Sequence, residues 1–133
     1  MQKIIIASGP VIVENNKVLL DMHGEDDFWK FCGGRINEGE DHNLAQAAAA
    51  RAKEELGIDV AILNEEPFLV HVAKEKDGQK MDVILVHFLA KAKGEIKAGD
   101  EIREWKWIAL EDLKKEKLAP NIFPVLKYFK IIE

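Results

Sequence analysis

Cysteine is almost missing from this chain. Cys32 stands alone among 133 residues, so no internal disulfide can form. A reducing compartment suits such a chain, and a cytoplasmic protein is the expectation. Long apolar runs are missing too. The stretch KIIIASGPVIVE is interrupted by Pro10 and Glu14, and nothing approaches the length of a membrane helix or of a signal segment. Basic charge is in deficit, at a formal net charge of −5. That argues against a broad surface for nucleic-acid polymer or anionic membrane, since both need clustered Lys and Arg. It leaves room for a small phosphorylated ligand, because a bound divalent cation reverses the local field. Internal repeats and low-complexity linkers are also lacking. One domain over residues 1–133 is expected, long enough to bury roughly two-thirds of its unfolded surface.

What is present has a mixed order. KIIIASGPVIVE and KVLLDMH flank Asn15-Asn16, which suits a hairpin turn. DFWKF is aromatic and strand-like. Residues 44–56 predict a helix, rich in alanine, with Asn43 as N-cap and Gly57 as the C-terminal stop. Ala45, Ala48, Ala49, Ala52 and Leu56 form its apolar stripe. Asp77-Gly78 then joins two strands in a register that pairs Val70 with Leu85 and Val72 with Val83. Both faces of that hairpin are largely apolar, so both are expected to be covered. EIREWKWIAL predicts a further strand. LEDLKKEKL and NIFPVLKYFKII predict closing helices, the second starting near Asn121. The fold class that follows is α/β, a mixed sheet with helices on both sides.

Two stretches concentrate chemistry. GGRINEGED is a glycine turn that delivers Glu40. AAAARAKEELGI is the helix that ends in Glu54 and Glu55. On that helix Arg51, Glu54 and Glu55 project from one side at three- and four-residue spacing. Carboxylates from a loop and a helix can converge on Mg²⁺, a hard cation that shares oxygen ligands with substrate phosphates.

These residues resemble the Nudix box. Gly34, five residues and Glu40 match its first half, and Glu54, Glu55, Gly57 and Ile58 its second. DFWKFCGG and EIREWKWIALEDL are similar to flanking family segments. The resemblance implies a Nudix-type α/β/α sandwich and a pyrophosphohydrolase using Mg²⁺ or Mn²⁺ on a nucleotide or nucleoside diphosphate derivative. It implies metal ligation by Glu54, Glu55, Glu40 and the Gly33 carbonyl, with Glu101 assisting in catalysis in preference to Glu104. Family members often dimerise, so a homodimer is a family expectation. Arg35 and Arg51 are candidates for substrate phosphates. Asn121 is a purine-edge reader by resemblance, or a helix N-cap. Trp29 and Phe31 either stack on a base or belong to the core.

The chain departs from the box at one place that matters. Where the family has an Arg-Glu pair, this chain has Ala50 and Arg51, and nine residues separate Glu40 from Ala50 where the family has seven. Arg51 is a cation and cannot ligate a metal. It could pair with Glu55 instead. A second reading follows, a Nudix-fold binding or regulatory domain that has lost hydrolysis. Cys32, where the family has proline, is expected to be an inert buried thiol. His23, His42, His71 and His87 show no ligand spacing.

Overall fold

A computed structural model describes residues 3–36 and 43–133. Its strands are β1 (Lys3–Glu14), β2 (Lys17–His23), β3 (Gly34–Arg35), β4 (Asp59–Ile62), β5 (Phe68–Lys76), β6 (Gln79–Lys93) and β7 (Ile102–Ala109). The helices are α1 (Leu44–Leu56) and α2 (Ile122–Tyr128), and a 3₁₀ segment spans Leu110–Lys115. LEDLKKEKL is therefore one tight 3₁₀ piece and not the helix expected. Glu40 and His42 lie outside the described residues.

The sheet is mixed, in the order β4-β6-β1-β2-β7, with β3 added to β1 and β5 to β6. The centre is the parallel pair β1 and β6, running from Lys3 against Met81 to Ile12 against Ala90. Asn15 and Asn16 take positive φ, and Glu14 faces Lys17 across the two-residue turn that Asn-Asn favours. Asp77 and Gly78 do the same, and Val70 faces Leu85 and Val72 faces Val83 as the spacing predicts.

The two sheet faces are covered by different helices. Leu19, Ile12 and Ala90 turn to the α1 side with Ala52, Leu56 and Ile58. Val11, Val18 and Leu20 turn to the other, against Ile122, Val125 and Leu126 of α2. This alternation along each strand is what aims a residue at one helix or the other. The hairpin departs from expectation. On the α1 side, Leu69 is 57 % exposed, and on β1, across β6 from it, Ile4 is 66 % exposed. β5 is an edge strand, and α1 packs on its neighbour β6 at Val86 and Phe88 without reaching across to Leu69, the partner of Val86.

DFWKF is not a regular strand. Trp29 and Lys30 make single bridges in opposite directions, Lys30 to Asp21 and Trp29 to Leu118. The segment thus staples the end of β2 to the chain before α2, and then Gly33 passes β1 at very close range. A Cβ added at Gly9 would lie 2.1 Å from the Cys32 carbonyl oxygen and 2.8 Å from the Gly33 Cα. Both are backbone atoms, which cannot yield cheaply. Gly9→Ala is expected to lower stability by about 2 kcal/mol, read from urea midpoints at unchanged m-value. A variant as stable as the parent would mean that the loop approaches β1 less closely.

Candidate active site

The α1 helix starts and ends as its sequence dictates. Asn43 Oδ1 accepts from the Gln46 amide at 3.1 Å, and Gly57 takes the left-handed conformation with its N–H on the Lys53 carbonyl. Ser8 on β1 donates to the Leu44 carbonyl at 2.8 Å and ties the first turn to the sheet. The last carbonyls are not orphaned. Lys97 N–H binds the Leu56 carbonyl and Gly99 N–H the Glu55 carbonyl. The loop after β6 is thereby pinned to the end of α1.

That placement drives Glu55 inward. It is only 7 % exposed. Its Oε1 lies 2.9 Å from His23 Nε2, and Cys32 Sγ sits 3.9 Å from the same oxygen. Its Oε2 turns the other way, 3.4 Å from where a Gly34 side chain would begin.

Glu54 behaves differently. Its side chain is 64 % exposed and pairs with Arg51 Nη2 at 3.1 Å. The expected Arg51–Glu55 pair is therefore replaced by Arg51–Glu54, because Glu55 is drawn into the fold by His23. Arg51 Nη1 also donates to the Arg35 carbonyl at 3.0 Å, and a Cβ at Gly34 would meet Arg51 Cδ at 3.2 Å. The guanidinium thus bridges the glycine loop and the helix. Arg35 itself is exposed.

His23 and Asp21 enter from β2, and no ligand spacing among the histidines pointed to them. They are two residues apart, so both face α1, in line with Leu19. A register shift between Met22 and His23 carries β2 from Glu104 to Ile102 and aims the imidazole. Arg103, the residue skipped, clamps the end of the strand by donating to the Gly24 and Asp26 carbonyls. Asp21 is fully buried, with Oδ1 3.3 Å from His23 Nε2. Neither Asp21 oxygen, nor His23 Nε2, makes a well-directed hydrogen bond among the described residues. The separations are those of an ion pair, without the alignment that would satisfy each atom. The ligand atoms of Asp21, His23 and Glu55 all lie within 4.8 Å of one another. The available signal was the Asp-x-His repeat at strand spacing, legible only once β2 and α1 are known to face each other.

Other sequence candidates fall elsewhere. Glu101 is exposed, and its carbonyl accepts from Gly24 N–H beside His23. Glu104 is exposed on β7. Trp29 is buried and donates its indole N–H to Glu116 at 3.1 Å. Phe31 is buried, with its ring edge-on to His87. Asn121 stands at the N-cap position of α2 but its side chain makes no cap bond; the side-chain amide reaches His87 Nε2 at 3.2 Å instead. Phe31, His87 and Asn121 thus meet on the α2 side of the sheet, across from Glu55. A hollow of about 570 Å³ near Trp105, Trp107 and Ile58 involves none of these residues.

Burial, helped by the Glu55 carboxylate, pushes the Cys32 thiol well up, which fits the inert thiol expected. Asp21 first and Glu55 second hold His23 protonated, with its pKa raised to about 9. Burial lowers that of His87 to about 4. In the metal-free chain His23 therefore adds stability that is complete below its unfolded value of about 6.5 and is lost as pH rises through about 9. His87 acts at the other end. The unfolded chain takes up its proton below about pH 6.5 while the folded state refuses it until about 4, so stability falls as acid is added. Urea midpoints should peak near pH 6.5, and His23→Gln should flatten the alkaline side alone. An unchanged alkaline slope in that variant would contradict the ion-pair geometry.

The comparisons with known proteins agree with this architecture. A family model for the NUDIX domain matches residues 6–129. The chain belongs to the Nudix family, and its class is that of the Nudix hydrolases, enzymes of the pyrophosphohydrolase type. Members of the family generally use divalent metal ions. No protein of curated function matches it by sequence. Among solved structures it is similar to the E. coli ORF135 protein, at 25 % identity and a TM-score of 0.68, over 97 % of this chain and 90 % of that one. It is similar to a C. elegans Ap4A hydrolase at 24 % and 0.72, over 95 % of each chain. A MutT Nudix hydrolase from Burkholderia pseudomallei follows at 23 % and 0.71, over 95 % of this chain and 98 % of that one. The last two likenesses, below a quarter identity, speak to the fold alone. Among the described residues no helix is long and apolar enough to cross a membrane.

Proposed function

We propose that this chain, a single Nudix domain of the cytoplasm, hydrolyses a nucleotide or nucleoside diphosphate derivative with the help of a divalent ion, Mg²⁺ or Mn²⁺. The observation that most supports this is the position of Glu55, buried at the end of α1 with one carboxylate oxygen turned to Gly34. That is where the glycine loop and the helix would have to meet for their donors to share a cation. The residues fit such an ion, since Asp21 and Glu55 bring two carboxylates together in a buried place with too few protein donors. By family resemblance the ion would be held by Glu55, the Gly33 carbonyl, Glu54 and Glu40, with Glu101 supplied from beyond the pinned loop. Glu54 would have to release Arg51 to take part. When bound, the ion supplies charge neutralisation of the diphosphate and a more acidic attacking water.

The chain's own residues account for the rest. Arg51 and Arg35 border the glycine loop with cationic forks suited to phosphate oxygens. Asn121, supported by His87 and Phe31, offers an amide that matches a purine edge. Stacking on Trp29 has little support, because its ring is in the core and its N–H is engaged. A C. elegans structural neighbour is an Ap4A hydrolase, which places dinucleoside polyphosphates on the substrate panel.

Arg51 favours a second reading. A guanidinium stands where the family has a carboxylate, bonded to the loop, and it could hold a phosphate without cleaving it. A screen of nucleoside triphosphates, ADP-ribose and dinucleoside polyphosphates, each with and without divalent ion, separates the two. Ion-dependent release of a nucleoside monophosphate supports hydrolysis. Saturable binding with no product over long incubation supports the binding module. Light scattering of the same sample tests the homodimer.

A further inference from the structure

We propose that Asp21, His23 and Glu55 form a mixed nitrogen-and-oxygen site for a divalent transition-metal ion of the Zn²⁺ class, in preference to Mg²⁺. The proposal deepens the metal-dependent reading above and shares one residue with it, Glu55. It adds two ligands from β2 that lie outside the box.

Three observations carry it. Two of the three donor separations are already at ligand spacing, 2.9 Å from Glu55 Oε1 to His23 Nε2 and 3.3 Å from Nε2 to Asp21 Oδ1, and the three donors all lie within 4.8 Å of one another. Neighbouring donors about an ion with bonds of about 2.1 Å stand roughly 3.0–3.4 Å apart. Next, Asp21 is fully buried; among the described residues neither of its oxygens makes a well-directed hydrogen bond, and the one cation it faces, His23, is shared with Glu55. Two buried carboxylates sharing one imidazolium remain under-compensated, and a dication among them would remove that cost. Last, the charges balance. Two carboxylates and a neutral imidazole carry two negative charges, which a dication cancels; an imidazolium cancels only one of them.

The ligand chemistry selects the ion. Mg²⁺ takes oxygen donors and keeps its waters, whereas imidazole nitrogen suits zinc and its first-row neighbours. Glu55 is placed to serve both sites, because Oε1 faces His23 while Oε2 faces Gly34. The β7 bulge at Arg103, opposite the Met22–His23 step, and the Arg103 clamp hold the imidazole in position without ligating anything.

Cobalt is the probe. The full chain, stripped with chelator, is titrated with Co²⁺ and its visible absorption followed. A band that saturates at a single equivalent, is bleached by Zn²⁺ and is untouched by excess Mg²⁺ is the expected result. His23→Gln and Asp21→Asn should each weaken Co²⁺ binding by at least about tenfold. Glu54→Gln should leave the band intact. His23 is near the surface, so its variant keeps the fold, and circular dichroism verifies both. No band from the folded chain, or equal Co²⁺ affinity in His23→Gln, overturns the proposal and leaves the trio as an internal ion pair. The two readings fail separately. Mg²⁺-dependent turnover with no Co²⁺ band sinks this one alone. A saturating band with no hydrolysis under any divalent ion leaves this one standing and sinks the other.

Discussion

Glu55→Gln is expected to lower ion-dependent turnover by about 10³-fold. General acid–base and metal-organising carboxylates are each worth about 10²–10⁴ in rate. Glu55 is the only one of the box carboxylates among the described residues that is buried and turned to the glycine loop. The variant keeps its shape and removes a charge. Its cost should fall on kcat more than on KM, because the ion organises the reacting diphosphate and contributes little to recognition of the base. The fold should persist, since Gly57 and the loop amides of Lys97 and Gly99 hold the end of α1 through backbone atoms. Turnover within a few-fold of the parent would mean that the reaction, if any, is organised elsewhere.

Arg51→Glu should move activity the other way, up by about 10²-fold. The family has a carboxylate at this position, and Arg51 already occupies the gap between the loop at Arg35 and the helix at Glu54. Replacing it frees Glu54 and supplies a third oxygen ligand. The gain is set at the low end of the range for such groups, because the segment from Glu40 to the helix is two residues longer than the family's. The same change crowds three carboxylates on one helix end. Without metal the variant should melt lower than the parent, and a divalent ion should restore much of the loss. A variant that folds, binds the ion and remains no faster would favour the binding-module reading over simple loss of a ligand.

Much of the frame was legible from residues alone. Asn43 and Gly57 bounded α1, and Asp77-Gly78 set the register of β5 on β6, because caps and tight turns are local chemistry. The Nudix box, incomplete as it is, was legible as a spacing. What escaped depended on packing between distant segments. Nothing local says that Asp21 and His23 will meet Glu55; that requires β2 to lie beneath α1. Arg51 had two glutamates within reach, and the choice of Glu54 followed from the burial of Glu55. Asn121 could cap its helix or reach inward, and only the position of His87 on β6 decided it. The exposed Leu69 was missed because strand patterning cannot tell how far across a sheet, toward its edge strand, a helix reaches.

The parallel pairing at the centre of the sheet has a consequence for biogenesis. β1 leaves the ribosome early, yet its main partner, β6, is made only after α1 and the β5 hairpin arm. Until then the Ile4–Ile6 and Val11–Val13 runs have no lasting partner strand along most of their length. Such non-local pairing slows folding and leaves sticky backbone edges open during synthesis. Yield of soluble protein should therefore respond to chaperone supply and growth temperature more than the modest size of the chain suggests.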